Sequence, residues 1–399
     1  MKRYAAAIAL ALSMATGLVG QDPDPALLAY RRNFVRSSLD GKLALLREAS
    51  SIQGAAMGPL FDAALRFVVD NTVLLGPDPQ LKDLAILAAT EAGRTAYKKS
   101  IDNLWTLFQA YKDHEVRAAA IASLGYAGAG EVRVAENLNA FLASQNSLFR
   151  SGAQPEYPAL EACIDALGRL GDGSSFPVLF SAYVSAFSPE LAAMAAAALG
   201  SIKGDYRGYL LQVIAKNPPL EKAAAYAAGL ENPNFTDLDR GELSEAAMAA
   251  ALVYAEDGSE LSPAELQALL ALRAESTRKF TALRREKAAP LAIRHFHLVQ
   301  GDFDKGFASK TDLLEAIACL GFMGSKEAAQ TLVIHLQLMN DKTEKESTYD
   351  EALIMAIISA LGELGDKSAF NDLVNTVYNQ YYSSEIKNAA RSAILKLKL

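Results

Sequence analysis

The chain has 399 residues, 51% hydrophobic and 21% charged, with 39 Lys and Arg against 46 Asp and Glu and a formal net charge of −7. The apolar share excludes wholesale disorder, and 26 glycines without a Gly-x-x period exclude a collagen-like rod. The acidic balance argues against nucleic acid, since a partner held by phosphate neutralisation calls for a basic excess.

Residues 1–20 have the three-part layout of a secretory signal peptide. Lys2 and Arg3 form a positive start, Tyr4 to Met14 a short apolar stretch, and Ala15-Thr-Gly17 or Gly20 a small-residue exit. The apolar stretch is too short to span a bilayer, and no Cys lies near the exit to carry a lipid. The expectation is a cleaved chain in the periplasm or secreted, with no transmembrane segment left after cleavage. Abundant Ala and Leu, one Trp and few β-branched runs favour helix thereafter. Residues 21–110 read as an N-terminal helical region of degenerate repeats, one of them ending near Gly93.

From residue 111 a pattern recurs: an apolar helix ending in Leu-Gly, then a polar turn and a second helix. A weak copy ends at Leu124-Gly125. The best copy, Ala159 to Val184, overlays Leu353 to Tyr378, so that Gly168 meets Gly362, Gly171 meets Gly365, Asp172 meets Asp366, Phe176 meets Phe370 and Leu179 meets Leu373. Between them lie a weak copy ending at Gly200, with Lys203 in place of the second glycine, and a good one with Gly321, Gly324 and Ser325. In the best copy Leu160, Cys163, Ile164 and Leu167 fall on one helix face. Gly171 and Gly365 are placed to close helices in the left-handed conformation, and Asp172, Asp366 and Ser325 to cap the helices that follow. Repeats of roughly 40 residues indicate stacked helical pairs. Cys163 and Cys319 lie in apolar helical stretches and read as small buried side chains.

The strings SALGELGDKSAFNDLV and DALGRLGDGSSFPVLF resemble HEAT repeats, of the short type found in phycobilisome-lyase-related proteins. Good matches cover 113–144, 157–203 and 310–382, while 21–110 and 205–300 fit poorly. The resemblance implies an α-solenoid of some seven to nine helix pairs that binds other macromolecules along a concave face. About seventeen helices are expected, with exposed connections at Ala143–Tyr157, Leu230–Glu242 and Lys342–Tyr349.

Motifs for chemistry are incomplete. His114-Glu-Val-Arg-Ala118 lacks the second histidine of a zinc helix, and Gly321 to Lys326 lacks phosphate-loop spacing. The acidic pairs Asp237/Asp239 and Glu256/Asp257 read as solvated loop charge. Two features stand apart. Between Arg273 and His297, Arg273, Arg278, Lys279, Arg284, Arg285, Lys287 and Arg294 follow an acidic stretch, Asp237 to Glu265. They read as one basic helix starting near Ser262-Pro263, with Leu266, Leu269, Leu270, Phe280 and Leu283 buried. That helix is either a solvated face or a docking patch for an acidic partner or anionic headgroup. Near the C-terminus, Tyr381 and Tyr382 read either as exposed anchors or as packing for a capping helix, and Tyr378 as core.

The expectation is an all-α chain: an α-solenoid of stacked antiparallel helix pairs, acting as an exported, non-enzymatic protein-interaction scaffold with no cofactor, metal or catalytic residue. The alternatives are a lyase-like enzyme or chaperone related to the phycobilisome-lyase proteins, and a peripheral membrane protein docking by the basic helix.

Overall fold

A computed structural model describes residues 25–52, 56–257 and 260–398. The signal peptide expected at residues 1–20 lies outside the described residues. Among the described residues the chain is all α, with twenty α-helices and no strand. It divides into two compact units, one ending at Lys203 and the other beginning at Gly204.

The first unit runs α1 (Pro25–Arg36), α2 (Leu39–Ser50), α3 (Gly58–Leu75), α4 (Pro79–Arg94), α5 (Ile101–Ala110), α6 (His114–Ala127), α7 (Val132–Arg150), α8 (Tyr157–Leu170), α9 (Phe176–Ser185) and α10 (Pro189–Ser201). The second runs α11 (Tyr206–Lys216), α12 (Pro219–Glu231), α13 (Asp237–Asp257), α14 (Pro263–Leu283), α15 (Ala289–Asp304), α16 (Lys310–Gly321), α17 (Lys326–Glu346), α18 (Glu351–Leu364), α19 (Phe370–Tyr378) and α20 (Ser384–Ile394). Every strongly packed pair joins a helix to its next or next-but-one neighbour. Each unit therefore has two layers, even-numbered helices in one and odd-numbered helices in the other. No helix buries its apolar stripe alone; its neighbours in the stack complete the burial.

The local chemistry of one repeat is as the sequence reads. Leu160, Cys163, Ile164 and Leu167 are all fully buried on α8. Gly171 closes α8 at φ +61°, and the Asp172 carboxylate accepts from the Ser174 amide at 2.8 Å to start the turn into α9. Gly365 (φ +64°), Asp366 and Ser368 repeat the device between α18 and α19, again at 2.8 Å. Gly324 is also left-handed, and Ser325 caps α17 through the Glu327 and Ala328 amides.

The Leu-Gly glycine does a different job, because it lies inside the last turn of its helix. A Cβ on Gly125 of α6 would stand 2.7 Å from the Ala166 Cα on α8. The same close crossing recurs between even-numbered helices, with Gly93 on Ser123 at 2.8 Å and Gly168 on Ala198 and Gly321 on Ala360 at 2.9 Å, while Gly362 on Ala393 is looser at 3.3 Å. Glycine there lets two backbones approach closer than any side chain permits. Gly200 is the exception, with nothing within 4 Å of a Cβ built on it.

The overlay seen in the sequence extends through the packing. Asn146 of α7 donates to the Val178 carbonyl of α9 at 3.0 Å, and its counterpart Asn340 of α17 donates to the Asp372 carbonyl of α19 at 3.3 Å. The units also open alike. The fourth residue of α2, Lys42, is buried and donates to the Ser37 carbonyl just past α1, at 2.6 Å. The fourth residue of α12, Lys222, is buried and donates to the Ile214 and Ala215 carbonyls in the last turn of α11. Each lysine satisfies helix-end carbonyls that have no intrahelical partner. Burial lowers the Lys42 pKa and pushes that of Lys222 down to about 8.

Several expectations are corrected. The described helices make ten successive pairs, and the consensus-poor stretches 21–110 and 205–300 pack in the same order as the rest. Stacking requires an apolar stripe, and the Leu-Gly signature is only one way to supply it. Most of Lys342–Tyr349 is helix, since α17 continues to Glu346 with Thr343 buried. Likewise α7 continues to Arg150, and α13 begins at Asp237. Asp237, Asp239, Glu256 and Asp257 thus lie on a helix rather than in loops. Phe370 is 38% exposed where its counterpart Phe176 is buried.

Candidate functional site

The basic run is not one helix. α14 ends at Leu283, Arg284 turns left-handed at φ +48°, a 3-10 turn spans Glu286–Ala288, and α15 starts at Ala289. Leu269 and Phe280 are buried as expected, but Leu266 and Leu270 are exposed. Most of the positive charges are engaged within the chain. Arg285, its side chain 14% exposed, pairs with Glu245 at 2.6 Å, and Arg294 pairs with Glu256 at 2.7 Å. Arg278 pairs with Glu275 at 3.0 Å and Glu315 at 3.8 Å. The Arg284 guanidinium lies over the Phe322 ring, 5.0 Å from its centre. Lys279 and Lys287 form no ion pair among the described residues. Glu245 and Glu256 belong to α13, so two pairs join the acidic stretch to the basic one, while Asp239 and Glu242 of the acidic stretch pair with Arg207 instead.

The C-terminal aromatics separate as well. Tyr382 is buried, donating its hydroxyl to Asn340 Oδ1 at 2.9 Å and lying within 3.2 Å of Thr343 Oγ1, with Tyr349 packed edge-on. It is a core residue and presents nothing to a partner. Tyr378, expected in the core, is 82% exposed, and Tyr381 is exposed as well. The polar Asn340 explains the exchange: its carbonyl oxygen needs a buried donor, and Tyr382 brings one.

Arg273 is the charge the sequence misplaced most. It points inward and is 7% exposed. Its Nε donates to His295 Nδ1 at 3.3 Å, which is the sole hydrogen bond of its side chain among the described residues. Among the described residues no carboxylate lies within ion-pair distance of it. His295 is itself buried, and that burial, followed by the adjacent guanidinium charge, pushes its pKa down to about 3. Its imidazole is therefore neutral and accepts the hydrogen bond. Both residues line a cleft of about 300 Å³ among α14, α15 and α16. Asp302, Asp312 and Glu315 line the same cleft, the Asp302 and Asp312 carboxylates act on the Arg273 charge beyond ion-pair distance, and Asp312 is held by a capping box with Ser309. Leu270 and Phe307, 41% and 81% exposed, stand at the cleft. The sequence signal for this site was present as Arg273 and His295, but only the crossing of two helices joins them.

The remaining chemistry-bearing groups are placed as follows. Cys163 and Cys319 are free and buried, and burial raises both thiols, that of Cys319 to about 11. Buried His335 is bonded to Gln300 through Nδ1 at 3.2 Å, and burial lowers its pKa. Among the described residues no three His, Cys, Asp or Glu side chains gather as a metal site, and no helix is long and apolar enough to cross a membrane. No known protein family matches the chain, and no curated protein matches it in sequence.

Proposed function

We propose that the protein is an exported, non-catalytic helical-repeat scaffold of the HEAT type, a solenoid that binds another protein along the even-numbered helices. The observation that carries this reading is the packing order within each unit: successive helix pairs, every strong contact made with a next or next-but-one helix, and glycine crossings between even-numbered helices. Within each unit the successive even-numbered helices lie side by side and offer an extended face. Tyr126 of α6, 46% exposed, with the Arg169 guanidinium of α8 stacked 4.4 Å from its ring centre, supplies the aromatic and arginine chemistry that anchors protein interfaces. The positive, apolar and small-residue segments of residues 1–20 support export to the periplasm or beyond. Cross-linking of the tagged full chain in intact cells, with mass spectrometry of the linked peptides, tests the reading. It predicts an exported partner linked to several successive even-numbered helices. A chain retaining residues 1–17 in the cytoplasm, or one without a reproducible partner, would sink it.

A further inference from the structure

We propose that the Arg273 cleft binds a small ligand bearing a carboxylate beside a cationic group, the pairing found in a free α-amino acid and in a peptide ending in lysine. Arg273 supplies the first half of the argument. A guanidinium offers five N–H donors in a flat fork, and here only Nε is engaged. The two terminal nitrogens have no partner among the described residues and are not sealed from the cleft. A charge taken out of water is costly unless paired, so a residue this buried with an open fork is poised for a two-oxygen acceptor. His295 fixes the fork by holding Nε, leaving the outer edge free.

The cleft's carboxylates supply the second half. Asp302, Asp312 and Glu315 line the same space. Of these Glu315 has a neighbouring cation, Arg278, at 3.8 Å, while among the described residues Asp302 and Asp312 form no ion pair and act on Arg273 only from beyond ion-pair distance. A lone anion entering beside Arg273 would meet more negative than positive charge. A ligand carrying its own cation satisfies both the fork and the carboxylates. The cleft's volume of about 300 Å³ suits one residue-sized ligand, and exposed Phe307 and Leu270 offer apolar contact to its side chain.

Calorimetric titration of the full chain tests this with five probes: L-leucine, L-leucinamide, N-acetyl-L-leucine, acetyl-Ala-Ala-Lys and its C-terminal amide. Binding by leucine identifies the free amino acid as the source, and binding by the acetyl peptide identifies a peptide end. In either case, blocking the carboxylate or, for leucine, the ammonium should weaken binding about tenfold or more. Arg273→Gln should remove binding, and the exposed-site variant Phe307→Ala should weaken it while leaving the thermal melt unchanged. The proposal is overturned if no probe binds at about 10 mM, or if the blocked probes bind as well as the free ones. It is also overturned if Arg273→Gln, with its helicity intact, binds unchanged. The blocked-probe comparisons use the unaltered protein, so they decide the matter even where Arg273→Gln fails to fold.

Discussion

Replacing Gly125 and Gly200 by alanine separates two roles that look identical in sequence, since both follow leucine at the end of an apolar helix. Away from any contact, Gly→Ala within a helix gains about 1 kcal/mol of helix propensity, or less in a last turn. At Gly125 the new Cβ would stand 2.7 Å from the Ala166 Cα and 2.8 Å from its Cβ. Because the Cα is backbone, no side-chain rotation relieves it, and α6 and α8 must separate. Overpacking of this kind costs about 1–3 kcal/mol, so the net effect is a loss of about 1 kcal/mol or more. At Gly200 nothing lies within 4 Å, and the substitution should be neutral or stabilising. Urea unfolding followed by far-UV ellipticity reads both. Adding Ala166→Gly to Gly125→Ala should restore little, since the offending Cα remains. Equal midpoints for Gly125→Ala and Gly200→Ala, or a fully rescued double variant, would refute the close-crossing argument.

Tyr382→Phe removes the shorter of two hydroxyl donors at Asn340 Oδ1, leaving Thr376 Oγ1 at 3.2 Å, and should cost about 1 kcal/mol, whereas Tyr378→Phe, at an exposed position, should cost nothing measurable in the same urea assay. Acidification should destabilise the fold through His295. Its folded pKa of about 3 lies below the unfolded 6.5, so the unfolded chain takes up the proton first, and stability is lost as pH falls from 6.5 toward 3. The loss from this group approaches about 2 kcal/mol at pH 5. His295→Gln should flatten that slope between pH 7 and 5, and an unchanged slope would assign the acid sensitivity elsewhere. Arg285→Glu should lower the thermal midpoint, since it sets two carboxylates together where a 2.6 Å pair with Glu245 now stands; exposed Lys287→Glu should leave it within error.

The repeat was legible in the sequence wherever local chemistry defines it. The apolar stripe of α8, the left-handed Gly171 and Gly365 and the caps Asp172, Asp366 and Ser325 depend on residues within one turn of each other. What escaped depends on which helix lies alongside. The Leu-Gly glycines differ in role only because Ala166 faces one and nothing faces the other. The basic segment looked continuous because the turn at Arg284 carries no Gly or Pro, and its charges looked free because Glu245 and Glu256 pair from 40 and 38 positions upstream. Arg273 looks like a surface residue in sequence, and Tyr382 reads either as an exposed anchor or as packing; their buried partners His295 and Asn340 come from other helices. Lys42 and Lys222 were passed over for the same reason, as their acceptors sit on the preceding helix.

Site-specific photo-cross-linking in intact cells tests most directly whether the even-numbered helices carry the interaction. A photoreactive residue is placed singly at Tyr126 on α6 and Leu266 on α14, and at Val132 on α7 and Leu338 on α17, all four being exposed. The scaffold account predicts a discrete partner adduct from the even-layer positions and none from the odd-layer ones. Adducts of equal yield from both layers, or from the odd layer alone, would contradict it.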